Sequence, residues 1–381
     1  MVLDMNSLDE LESAAIGFLS QHISNQTYVS VSGGKDSLVV LDLAIRAGIR
    51  KAVYCNTTIE FPQTVEYISV LKSFYNIPID VVSAGTTFFE MCKQVGFPSR
   101  RLRWCCDVFK FGPLAKFARQ KGVCEFITGL RRDESHSRKN YTYLDNNPLV
   151  PARQLNPILD WKEEDVWNYI RRYSLPVNSL YDIFERNGCW CCPFKSEEEW
   201  KKTEEFFPKL MILLEMELEK YADRIGIRNK HQFIQERGWT SWASPITKLA
   251  VGTYAPCNRG NNGQKSVILR VHNNEQVRRI KQVLPIITDD YGASGRILRI
   301  TYKAGLSRKL NTLVEKAINC IGCGTCVLLC PTQALRVDSK ELVVSSKHCT
   351  HCFHCLNAHG PLRGSCVVRN YADNRSALVR K

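Results

Sequence analysis

No stretch of the chain approaches the run of about 20 apolar residues that a membrane-spanning helix needs, so no membrane role is expected. The basic-then-apolar pattern of a secretory leader is missing too. Met1 to Gln21 carries Asp4, Asp9, Glu10 and Glu12 among helically spaced apolar positions, and an amphipathic first helix in a cytoplasmic protein is expected instead. Acidic side chains are in the minority, 38 against 52 Lys and Arg, which leaves a formal charge of +14. That excess suits a polyanionic partner: a nucleotide, a nucleic acid or an acidic electron donor. Surface lysines also serve plain solubility, and thiolate-bound iron–sulfur clusters would cancel part of the charge. Disulfides are not expected of 17 cysteines in a chain without a leader, because the cytosol keeps thiols reduced. Their clustering points to metal.

What remains is a folded chain of 381 residues, 44% hydrophobic and 24% charged, long enough for two or three domains. It is organised around Ser32-Gly33-Gly34-Lys35-Asp36-Ser37. Thr27 to Val31, β-branched and aromatic, reads as a buried strand before it. After it Leu38, Val39, Leu41, Ala44 and Ile45 recur at helical spacing until Gly48, a C-cap. Strand, glycine-rich turn and helix N-terminus together make an anion site, with Lys35 to neutralise phosphate and Asp36 to hold Mg²⁺. The spacing is not that of the Walker-type phosphate loop. It resembles the PP-loop of the ATP pyrophosphatase superfamily, whose members cleave ATP between the α- and β-phosphates.

Further strands are expected at Lys51–Thr57, Ile77–Val82 and Cys124–Thr128, with a helix through Tyr75. Strands alternating with helices predict an α/β fold with a doubly wound parallel sheet. Ligands of such sheets sit beyond the carboxyl ends of the strands, which gathers Ser32–Ser37, Asn56–Thr58 and Gly129–Ser135 around one crevice. Arg131 and Arg132 suit phosphate or sulfate there. Asp160 and Glu163 have capping-box spacing before a helix whose buried face is Val166, Trp167 and Ile170. Leu175 to Asp182 follows, and then Gly188-Cys189-Trp190-Cys191-Cys192-Pro193.

Taken with the PP-loop, these segments resemble the phosphoadenosine-phosphosulfate (PAPS) reductase family over about residues 20 to 200. The resemblance implies an adenine nucleotide α-hydrolase-like fold. It also implies an adenylyl group bound by Ser32, Gly33, Gly34, Lys35, Asp36, Ser37, Thr58, Gly129 and Arg131, with Lys35, Asp36, Arg131 and Arg132 in catalytic positions. Cys105-Cys106 with Cys189-x-x-Cys192 resembles the [4Fe–4S] site of the iron–sulfur branch of that family. Cys191 is a spare thiolate beside it, so which two of the three bind stays open, and zinc on four thiolates is the competing reading. Arg100, Arg101, Arg103 and Lys110 surround the pair in sequence.

Cys320-x-x-Cys323-x-x-Cys326-x-x-x-Cys330-Pro331 is the bacterial ferredoxin run, whose fourth cysteine ligates the other cluster. With Cys349, Cys352, Cys355 and a late Cys366, the crossed assignment is Cys320, Cys323, Cys326 and Cys366 on one cluster. Cys349, Cys352, Cys355 and Cys330 fall on the other. Ala334–Val337 and Leu342–Val344 read as the hairpin between the halves of an α+β ferredoxin-like domain. Cys55 and Cys124 fall in expected strands and read as core; Cys257 sits in a glycine-rich loop. Glu197 to Tyr221 reads as a long helix or a helix pair, Trp239 and Trp242 anchor a turn, and residues 265–302 read as a small α/β insert with a basic face at His272, Arg278 and Lys281. The expected domains are therefore 1–200 (nucleotide, with one cluster), 201–312 (helical and small α/β), 313–369 (two-cluster ferredoxin) and 370–381 (basic tail).

Three [4Fe–4S] clusters, Mg²⁺ and ATP, adenosine 5′-phosphosulfate (APS) or PAPS are the implied cofactors and substrates. The implied partners are an electron donor, either a ferredoxin or a reductase, and a nucleic-acid acceptor; a homodimer is compatible with the chain. Reductases of this family generally carry a degenerate PP-loop and a mobile Glu-Cys-Gly-(Leu/Ile)-His segment. Here Lys35 and Asp36 are retained and no such segment exists. The favoured expectation is thus an ATP-dependent, AMP-forming sulfur transfer to an acceptor. The alternative is an APS or PAPS reductase that draws on ferredoxin electrons, and a non-catalytic redox subunit comes last.

Overall fold

A computed structural model describes residues 5–100, 103–146, 150–241, 252–257, 263–320, 322, 324–328, 330–338 and 341–356. The chain divides into two compact units, Met1–Phe88 with Phe109–Lys220, and Phe89–Val108 with Tyr221–Lys381. Among the described residues no helix is long and apolar enough to cross a membrane.

The first unit is built on six strands: β1 Thr27–Val31, β2 Ala52–Cys55, β3 Ile79–Val82, β4 Glu125–Ile127, β5 Leu144–Asn146 and β6 Arg153–Leu155. Their order across the sheet is β3-β2-β1-β4-β6-β5. Every neighbouring pair is parallel except β5 with β6. Strand alternation explains why both faces are covered. Val29, Val31, Ala52 and Tyr54 enter a core with Leu38, Leu41, Leu71 and Tyr169. Tyr28, Val53 and Phe126 enter a second core with Ala115, Phe117 and Ala118 of helix Gly112–Lys121. Each fully buried Val, Leu or Phe among them contributes about 1.5–3 kcal/mol.

The doubly wound sheet is as expected, with corrections of detail. The third strand starts at Ile79, two residues later than its apolar run begins. Strands β5 and β6 were not foreseen, and β5 makes the sheet mixed. Helix Glu163–Arg172 is closed not by Asp160 with Glu163 but by Asp165, whose carboxylate accepts from the Lys162 N–H at 2.7 Å. The stretch after Glu197 is a helix pair, Glu197–Phe206 and Pro208–Ile225, broken where Pro208 cannot continue the first helix. Cys124 precedes β4 and is exposed, not core, while Cys55 at the end of β2 is half-buried.

In the second unit, β7 Thr253–Cys257, β8 Gln264–Arg270, β9 Tyr291–Ser294 and β10 Ile297–Lys303 form an antiparallel sheet in the order β7-β8-β10-β9. The expected α/β insert is therefore an antiparallel sheet with helices Asn274–Val283 and Ser307–Ile318. The expected hairpin is β11 Leu335–Asp338 with β12 Glu341–Val344. A single apolar core runs from Val267, Leu269 and Leu298 through Leu310, Leu313 and Val314 to Cys326, Cys330, Leu342 and Cys355. Trp239 is buried in this unit, 5.7 Å from the Phe97 ring. Trp242 lies outside the described residues.

Candidate active site and cluster residues

The strand order reverses between β1 and β4, and the crevice at such a switch point is where parallel α/β sheets take ligands. Here β1 runs into Ser32–Ser37 and β4 into Gly129. The two segments touch backbone to backbone. A Cβ on Gly129 would lie 2.7 Å from Asp36 C and O and 2.9 Å from Ser37 N, so this position has room only for glycine. Gly33 adopts φ +80°, a conformation that costs other residues about 1–2 kcal/mol.

The loop is laced by its own hydroxyls. Ser37 Oγ donates to Gly34 O at 2.8 Å and accepts from Ser32 N at 3.2 Å. It is also clamped from a distant segment: Asn178 and Asn187 both donate to Gly33 O, at 3.1 and 3.0 Å. The Tyr181 hydroxyl accepts the Lys35 N–H at 2.8 Å, at the first turn of helix Lys35–Arg46. Thr64 joins the clamp by accepting from Asn178 at 3.2 Å. Sequence reasoning assigned none of these four a role; the only signal was that Asn178–Tyr181 immediately precedes the cysteine cluster.

The charged residues sit differently from expectation. Lys35 is buried at 5% exposure and its ammonium lies 3.3 Å from Glu163 and 3.7 Å from Asp36. Arg131 is not an open guanidinium: it is 1% exposed, and its Nε donates to Asp36 Oδ1. Asp36 is thereby committed to Arg131 on one oxygen. Arg132 is the accessible one of the pair, bound to Asp160 and, at 2.9 and 3.1 Å, to Tyr141 O. Two further guanidiniums stand close by. Glu134 serves both Arg138 and Arg186, leaving an excess of positive charge. Burial first, and then Arg186, lower the Arg138 pKa, while Asp36 opposes the shift. Thr58, three residues past β2, holds φ +65°, rare for a β-branched residue. Asn56 Oδ1 fixes it by accepting its N–H at 2.8 Å, and the Phe88 N–H donates to its hydroxyl at 2.9 Å.

The first unit also carries Cys189, Cys191 and Cys192. Cys189 and Cys192 are half-buried and Cys191 is buried. Thr57 Oγ1 stands 3.8 Å from Cys189 Sγ. Buried Lys195 packs its ammonium 4.5 Å from the Phe184 ring centre; burial lowers its pKa while the three thiols and Glu199 pull it up. Cys105 and Cys106 fall in the second unit, on the helical turn Trp104–Cys106, which a π-helical turn Asp107–Phe111 follows. There Arg103 donates to Cys106 Sγ at 3.4 Å. Burial pushes the Asp107 carboxyl up to about 7, with Cys106 adding and Arg103 opposing.

In the C-terminal segment, Cys330, Cys349, Cys352 and Cys355 line one cavity with Pro331, Phe353 and other residues. These are the four thiols of the crossed set, and four sulfur donors around one cavity suit a thiolate-held iron–sulfur cluster. Among the described residues no three His, Cys, Asp or Glu side chains converge on a single ion. Burial pushes the Cys355 thiol up to about 12, and Lys316 pulls against that rise. Of the other set, Cys320 is half-buried and Cys326 buried, whereas Cys323 and Cys366 lie outside the described residues.

Two family profiles match the chain: a phosphoadenosine phosphosulfate reductase domain over residues 26–195 and a 4Fe-4S dicluster domain over residues 312–358. An uncharacterised protein of Methanocaldococcus jannaschii is 35% identical, over 57% of this chain and 47% of its own length. The adenosine 5′-phosphosulfate reductase of Geobacillus thermodenitrificans is 30% identical, over 42% of this chain and 70% of its own. The chain spans about half the length of the first two curated relatives it matches, 47% and 51%. A crystal structure of phosphoadenylyl-sulfate reductase from Candida auris, 19% identical, covers 50% of this chain and 97% of its own at a TM-score of 0.40. The chain belongs to the phosphoadenosine phosphosulfate reductase family, and behind that domain it carries a 4Fe-4S dicluster domain.

Proposed function

We propose that the chain reduces an adenylyl sulfate. The nucleotide binds in the crevice formed by Ser32–Ser37, Thr58 and Gly129, and the sulfonate faces the guanidiniums of Arg138 and Arg186, with Arg132 at the rim. Two electrons break the bond between sulfur and the bridging oxygen. The oxygen stays with AMP and the sulfur leaves as sulfite, so no water and no ATP is consumed. The observation that carries this reading is the pair Arg138 and Arg186 sharing one carboxylate, Glu134, beside a phosphate-type loop. That excess of one positive charge is matched by a sulfonate, which carries one negative charge. Names of relatives such as the Geobacillus protein point the same way.

Iron–sulfur clusters are part of the proposal, and those of the C-terminal segment are held by Cys320, Cys323, Cys326 and Cys366 and by Cys330, Cys349, Cys352 and Cys355. When bound they supply electrons, and carriage within one polypeptide keeps the donor at high effective concentration. This chain's own residues bind, orient and neutralise: the loop amides and Lys35 hold phosphate, and Arg131 holds Asp36 in place.

A second reading is AMP-forming, ATP-dependent thiolation of an acceptor, nucleic acid included. Retention of Lys35 and Asp36 in the loop favours it, with Mg²⁺ on Asp36; the commitment of Asp36 to Arg131 weighs against it. The test is anaerobic incubation of the iron-loaded protein with reduced ferredoxin and either APS, PAPS or ATP, with products identified by mass. Sulfite and an adenosine phosphate without ATP support the first reading. AMP and pyrophosphate from ATP support the second, and untouched nucleotides in every mixture overturn both.

A further inference from the structure

The helix Ser307–Ile318 precedes the ferredoxin run, and one of its lysines is turned inward. Lys316 is 3% exposed, in the same unit as the cavity lined by Cys330, Cys349, Cys352 and Cys355. Its ammonium donates to the backbone carbonyl of Cys355 at 2.6 Å. About two turns upstream, Lys309 places its ammonium 3.9 Å from the centre of the Phe353 ring, which lines the same cavity. A buried ammonium acts strongly on any negative group beside it, because little water screens the two. A four-thiolate cluster is such a group, and it becomes more negative by one charge when reduced.

We propose that Lys316 is a positioning residue that raises the reduction potential of the cluster held by Cys330, Cys349, Cys352 and Cys355. The ammonium stabilises the reduced cluster more than the oxidised one, because the electron adds negative charge within a poorly screened interior. The carbonyl bond fixes that ammonium behind Cys355, so the charge cannot swing out to water. The other cluster set is treated differently. Arg279 donates to the carbonyl of Cys320 at 3.2 Å, but Glu275 at 2.8 Å and Glu341 at 3.3 Å neutralise it. Lys316 thereby favours an added electron on the cluster of Cys330, Cys349, Cys352 and Cys355. The helix that follows the antiparallel sheet thereby acquires a redox role.

This inference rests on the two-cluster reading of the C-terminal segment and is independent of the sulfur chemistry. The experiment is an anaerobic redox titration of the full chain followed by electron paramagnetic resonance, with iron counted per chain. In Lys316→Met the potential of one cluster should fall by about 59 mV, a tenfold change for a one-electron couple, while the other signals stay. Lys316→Arg, which keeps the charge, should stay near the parent value, and Arg279→Gln should shift its own cluster by less. A loaded Lys316→Met protein with unchanged potentials overturns the proposal. So does failure of both Lys316→Met and Lys316→Gln to load, since that assigns the lysine to folding. Absence of iron from the parent protein overturns the two-cluster reading itself and is told apart by the iron count.

Discussion

Replacing Gly129 with alanine puts a methyl carbon 2.7 Å from Asp36 C and O and 2.9 Å from Ser37 N. No side-chain rotation can relieve this, because every atom it meets is backbone. Overpacking of this kind costs about 1–3 kcal/mol, and the cheapest relief is to move the Ser32–Ser37 loop off the end of β4. If the loop must sit there to bind, only the strained fraction is competent, and the apparent dissociation constant rises by the reciprocal of that fraction. The expected loss of affinity for AMP or APS is therefore roughly 5- to 150-fold. Isothermal titration calorimetry measures it, with thermal melts alongside to confirm a folded protein. Gly188→Ala is the control, since a Cβ there meets nothing within 4 Å. Parent affinity in a folded Gly129→Ala protein would show that the crevice at the strand reversal is not the nucleotide site.

Other perturbations separate the parts of the site. Arg131→Met leaves Asp36 with Lys35 alone, 3.7 Å away, and should cost up to about 3 kcal/mol in urea unfolding, of which Arg131→Met with Asp36→Asn recovers a share; a loss well under 1 kcal/mol refutes the buried pair. Tyr181→Phe leaves the Lys35 N–H without its acceptor, lowering stability by about 1 kcal/mol, and saturating AMP should narrow that deficit because a phosphate oxygen takes the amide over. An equal deficit with and without AMP would mean the amide is not offered to ligand. Cys330→Ser and Cys352→Ser should abolish the same paramagnetic signal, and Cys326→Ser a different one; loss of different signals in the first two breaks the crossed assignment. Burial raises the Glu125 pKa, but hydrogen bonds from Arg153, Ser24 and Thr27 outweigh it and hold the group below its usual value. A carboxylate lowered on folding stabilises above its unfolded pKa of about 4.3 and loses that contribution as pH falls through the folded value. Glu125→Gln should flatten that part of the acid unfolding curve, and an unchanged curve counts against the assignment.

The parts of this site legible in sequence are those whose chemistry is local. Thr27–Ser37 is a strand, a turn and a helix start in consecutive residues, and the cysteine runs carry their spacing with them. What was hidden depends on residues far apart in the chain. Arg131 looks like a phosphate ligand because its partner, Asp36, lies 95 positions upstream. The clamp on Gly33 needs Asn178 and Asn187, and nothing in an asparagine's neighbours announces it. Strands β5 and β6 are three residues each, one of them Leu-Asp-Asn, too short and polar for a period of two to register. The cap of helix Glu163–Arg172 was misplaced because the acidic residues Asp160, Glu163, Glu164 and Asp165 offer more than one register.

Cys326, Cys330 and Cys355 belong to the same apolar cluster as Val267, Leu298 and Leu313. A cluster held by these cysteines would therefore add its binding free energy to the packing of that core. Withholding iron should then leave the antiparallel sheet more open to proteolysis.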